Sequence, residues 1–104
     1  MSRCKGHIEE VRPMIDGGRL RVRLTVCRSD GPKHFAFLPD RELSALLPRS
    51  ILLTKLKDVP PQLLDTIEPM LNKMVVGRAV RLWRYAERWY ASFLSWRPVR
   101  FTGP

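Results

Sequence analysis

Hydrophobic and polar positions alternate most regularly over residues 19–26, where Arg19, Arg21, Arg23 and Thr25 interleave with Leu20, Val22, Leu24 and Val26. A period of two sends successive side chains to opposite faces of an extended chain. This run therefore predicts a strand with one aliphatic side and one cationic side. Residues 6–15 predict a strand before it, irregular because Pro13 cannot donate to a ladder. Asp16-Gly17-Gly18 reads as the tight turn between them, since glycine tolerates the positive φ that hairpin turns demand. Ser29-Asp30-Gly31-Pro32 turns the chain again. A third strand follows over Lys33 to Leu38, with His34, Ala36 and Leu38 on one side and Phe35 and Phe37 on the other.

After Pro39 the period lengthens. Asp40 is placed to cap a short helix over 41–47, which Pro48 stops. Residues 51–57 fit helix and strand equally well, and Asp58-Val59-Pro60-Pro61 breaks the chain a second time. Leu63, Leu64, Ile67, Met70, Leu71 and Met74 then trace a single helical stripe, which Pro69 should kink or split. A fourth strand is expected over 78–86, with Val80 and Leu82 opposite Arg81, Trp83 and Tyr85. A turn at Glu87-Arg88 leads into a fifth strand over 89–97, which Arg97-Pro98 ends. The predicted order is β-β-β-α-β-β: mainly β with an α insertion.

Five short strands with a helix between the third and fourth resemble the layout of an oligonucleotide-binding (OB) barrel over residues 6–98. The likeness is one of order, not of motif. The insertion, about 40–74, is long for a minimal barrel of this kind and implies a decorated one. An SH3-like or Sm-like barrel and a β-grasp sheet are the alternatives. All of them bury Leu20, Val22, Leu24, Val26, Val80 and Leu82 against Leu63, Leu64, Ile67 and Leu71.

Composition narrows the partners. At 104 residues and 44% hydrophobic content the chain suits a single domain spanning 1–104, with 101–104 expected to fray. No apolar run nears the roughly eighteen residues a membrane helix needs, and no apolar stretch follows the N-terminus, so neither a span nor a secretory leader is expected. Two cysteines, Cys4 and Cys27, are too few for a disulfide scaffold, and a cytoplasmic setting is the default. The net charge of +9 arises entirely at the two ends, because residues 40–76 carry five bases and five acids. Arginine supplies 14 of the 19 basic residues, and Trp83, Tyr85, Trp89, Tyr90 and Trp96 crowd the C-terminal block. Guanidinium groups grip phosphate bidentately and aromatic faces stack on bases, so a polyanion is the expected partner.

In an OB-like barrel, strands two and three with the loops after strands one and four form the binding face. On that layout Arg19, Arg21, Arg23, Arg81, Trp83, Tyr85, Arg88 and Trp89 are the candidate nucleic-acid contacts, with single-stranded DNA or RNA favoured. The alternative is a protein-interaction module, an adaptor or inhibitor, meeting an acidic partner through the same surface. A membrane binder is not expected, because the charge lies on strands and not on an amphipathic helix. Met70 and Met74 could line a contact groove, and strand five at a sheet edge could pair two copies into a homodimer. Cys4, His7, Cys27 and His34 form the one conceivable zinc set, without the C-x2-C knuckle of strong zinc motifs. No cofactor is implied. The carboxylates are scattered, and Glu9 and Glu10 should face opposite ways on a strand, so no catalytic pair emerges.

Overall fold

The computed structural model describes residues 4–16, 19–47 and 61–94. Its strands are β1 (Cys4–Asp16), β2 (Arg19–Arg28), β3 (Lys33–Phe37), β4 (Ala79–Tyr85) and β5 (Arg88–Phe93), with helices α1 (Asp40–Leu46) and α2 (Pro61–Val75) between β3 and β4. The strands close into a barrel in the order β1-β2-β3-β5-β4, with β4 returning to β1. The fold is thus mainly β, a five-stranded OB-like barrel with a helical insertion. Only β3 and β5 run parallel, with Phe37 level with Tyr90. Parallel neighbours need a long crossover, and the helices together with β4 supply it.

Alternation drives closure. Val22, Leu24 and Val26 of β2 and Val80 and Leu82 of β4 are fully buried, while Arg19 and Arg81 beside them are exposed. Each such aliphatic side chain contributes roughly 1.5–3 kcal/mol when removed from water. β1 is long enough to serve two partners. Its first residues pair with β4 (Cys4–Leu82 to His7–Ala79), and Gly6 to Asp16 pair with β2. At Gly6 the strands crowd so closely that an added Cβ would lie 2.6 Å from the Cys27 carbonyl oxygen. A side chain there would force the backbone apart.

The β1–β2 register slips between Ile8 and Glu10, a bulge that inserts one residue. Both Glu9 and Glu10 are consequently exposed, contrary to the simple alternation expected of them. Glu9 pairs with Lys33 at 3.0 Å and Glu10 with Arg12 at 3.5 Å.

The helices close what the strands leave open. Leu43, Leu46 and Leu47 are buried, three core residues contributed by α1 and its end. Asp40 does not cap that helix: Pro39 occupies the N-cap without a side-chain bond, and the Asp40 carboxylate accepts from Arg19 at 2.7 Å. In α2, Ile67, Leu71 and Val75 repeat every four residues and are buried, with Leu63, Met70 and Met74 packed beside them. Both methionines are partly buried against that core. Pro69 neither ends nor splits α2, which continues to Val75 with the proline exposed. Asn72 does the work of a strand: its amide nitrogen donates to the Val11 carbonyl (3.0 Å) and its oxygen accepts from the Val11 amide (3.3 Å). Those bonds satisfy β1 beyond His7, where its pairing with β4 has ended. β5 lies between β3 and β4, so the edge expected to pair two copies is already occupied. The ambiguous 51–57 segment, the end of the expected fifth strand and the tail at 101–104 lie outside the described residues.

Candidate nucleic-acid interface

Register places the outward side chains of four adjacent strands in two rows. One row crosses Arg23, Phe37, Tyr90 and Trp83, which the β2–β3, β3–β5 and β5–β4 pairings set level. Two residues away on each strand, the second row crosses Thr25, Phe35, Arg88 and Tyr85. Diagonal contacts tie them together. The Arg23 guanidinium lies over the Phe35 ring at 4.4 Å, and that of Arg88 lies over Phe37 at 4.9 Å. Within the first row Trp83 stacks on Tyr90 at 4.8 Å, and its indole N–H donates to Ser92 Oγ at 2.8 Å. Cation–π geometry of this kind holds a long arginine flat against the sheet and leaves its edge donors open to a ligand.

Asp16 anchors the arrangement at the end of β1. Arg88 donates to its Oδ2 at 2.8 Å, and Arg21 Nε lies 3.3 Å from the same oxygen without hydrogen-bond alignment. One carboxylate thus joins the strand entering the β1–β2 loop to the residue leaving the β4–β5 turn. These are the two loops that flank the ligand face of an OB-like barrel. Ala86 and Glu87 make that second turn with φ of 50° and 64°. Two consecutive left-handed residues match a type I′ hairpin, although neither is the glycine or asparagine that such a turn favours.

Most of the arginines and rings anticipated from the sequence meet here. Arg21, Arg23, Trp83, Tyr85 and Arg88 share the outer surface, with Arg81 exposed one step along β4. Arg19 is exposed at the start of β2 and held by Asp40; that contact raises its already high pKa, so it remains a cation. Arg23 and Arg81 have no carboxylate partner among the described residues. Trp89 is placed differently. The turn is complete at Glu87, so Trp89 is already the second residue of β5; it is half-buried, packs against the core and meets His34 edge-on at 4.6 Å. Phe35, Phe37 and Tyr90, absent from the candidate set, belong to the face. The signal for the two phenylalanines lay in the alternation of residues 33–38, which puts them opposite Ala36 and Leu38.

The conceivable zinc set does not assemble. His7 faces Cys27 across the β1–β2 ladder, whereas Cys4 packs against the core and His34 against Trp89. Among the described residues no three His, Cys, Asp or Glu side chains converge as metal ligands. Burial, reinforced by the nearby Arg28 charge, pushes the His34 pKa down and favours its neutral form. Both cysteines are free thiols. Among the described residues no helix is long and apolar enough to cross a membrane. Comparison with protein-family models, curated proteins and solved structures gives no match to this chain.

Proposed function

We propose that this protein binds nucleic acid, single strands in preference to duplexes, through the outer face of β2, β3, β5 and β4 and without chemistry of its own. One observation carries the reading: guanidinium groups and aromatic rings occupy adjacent positions in two rows across four strands. Phosphates need the first and bases the second. The net charge of +9 supports attraction to a polyanion, and the free thiols suit a reducing, cytoplasmic setting. Arg21, Arg23 and Arg81 would contact the backbone, with Arg19 at the margin.

Binding to short single-stranded and duplex DNA and RNA, measured at two salt concentrations, tests the proposal. Affinity should fall steeply with salt, because each neutralised phosphate releases counterions. Replacing Arg21, Arg23 and Arg81 together by alanine should flatten the log–log slope by about 2, near 0.7 per lost contact on a single strand. Undetectable binding at low salt, or binding indifferent to salt, would refute the reading and leave an acidic protein as the partner to seek.

A further inference from the structure

Resting on that reading, we infer that Phe35 and Tyr85 are the base-stacking platforms, and that Arg88 between them receives the intervening phosphate. The ligand unit is a run of unpaired nucleotides crossing β3, β5 and β4. Exposure separates these two rings from the others: Phe35 is 59% exposed and Tyr85 69%, whereas Phe37, Trp83 and Tyr90 are half-buried. The half-buried rings already have partners, Trp83 stacking on Tyr90 and Phe37 lying beneath Arg88. Phe35 has the Arg23 guanidinium against it but stays largely open to solvent.

Position makes the two rings a site. They stand in one row on either side of Arg88, two strand spacings or about 10 Å apart. The Arg88 backbone lies between the two rings and its guanidinium reaches over Phe37 in the neighbouring row, so a phosphate held there lies beside the line from one base to the next. Asp16 holds one edge of Arg88 at 2.8 Å and Phe37 lies under its plane, so its remaining donors have a fixed direction. A duplex keeps its base faces stacked inside the helix and cannot offer them to Phe35 and Tyr85. Charge complementarity with the neighbouring arginines selects a polyanion over a neutral apolar partner.

Fluorescence anisotropy of a labelled oligothymidylate provides the test, with melting temperatures confirming that each variant folds. Phe35→Ala and Tyr85→Ala should each weaken binding roughly five- to a hundred-fold while leaving the salt slope as in the wild type. Phe35→Trp should restore binding. Arg88→Ala should instead flatten the slope by about 0.7. If the wild type binds and both alanine variants bind equally well, the platform is elsewhere, although the broader nucleic-acid reading survives. An equal loss of duplex binding in the variants would also overturn the assignment, since it would not depend on unpaired bases. A wild type that binds no oligonucleotide at low salt defeats both ideas together.

Discussion

The two flanks of this barrel treat their polar groups in opposite ways. On the β1 flank, α2 lies against the sheet, and Asn72 completes the Val11 backbone while Gly77 and Arg78 exchange hydrogen bonds with Ile8. On the β3–β5–β4 flank Phe35 and Tyr85 remain exposed, and the guanidinium groups of Arg23 and Arg88 lie over Phe35 and Phe37. The difference lies in what packs on them, and on the proposed reading α2 and Asn72 serve stability while the open face serves recognition.

The sharpest way to break that division is Asn72→Ala, which orphans a buried amide and carbonyl of β1. It should cost about 1–3 kcal/mol, which would lower the melting midpoint by roughly 4–8 °C per kcal/mol. Oligonucleotide affinity measured well below that midpoint should stay unchanged. A loss of affinity larger than the loss of folded protein would mean that the flanks are coupled.

A smaller effect of opposite sign is expected at the β4–β5 turn. Ala86→Asn with Glu87→Gly suits the left-handed backbone and should raise stability by about 0.5–1 kcal/mol, read from denaturant midpoints. Unchanged or lowered stability would show that the turn residues are held by contacts outweighing their backbone preference.

The mildest expectation concerns pH. Because His34 has a lowered pKa in the folded barrel, the unfolded chain takes up the proton first. Stability should therefore hold above the unfolded imidazole value of about 6.5 and decline as pH falls through it. His34→Gln should flatten the dependence of melting temperature on pH in that window. An unaltered profile would place the titrating group elsewhere.

Much of this architecture was legible from residues 19–26 and 33–38, because period-two alternation needs no tertiary information to be read. The order of strands about an inserted helix was legible for the same reason. The inward placement of Trp89 was not, because Ala86 and Glu87 carry none of the usual marks of a two-residue turn; the sequence suggests a turn at Glu87-Arg88, one residue late, which leaves the side to which Trp89 points unread. The part played by Asp16 was also hidden. Its partner Arg88 is 72 residues away, and no local pattern distinguishes a carboxylate at a turn from one that ties two loops. Asn72 was equally silent, since a polar residue on a helix usually meets water.

β1 gains its second neighbour only when residues 79–82 arrive, so the barrel cannot close before they are synthesised. A nascent chain that stalls in the helical insertion would present an incomplete meander whose leading strand still lacks half its partners. Pairings this distant in sequence slow folding and prolong the interval in which such a strand can join the wrong chain. Closure of the barrel should therefore be a late step in its folding.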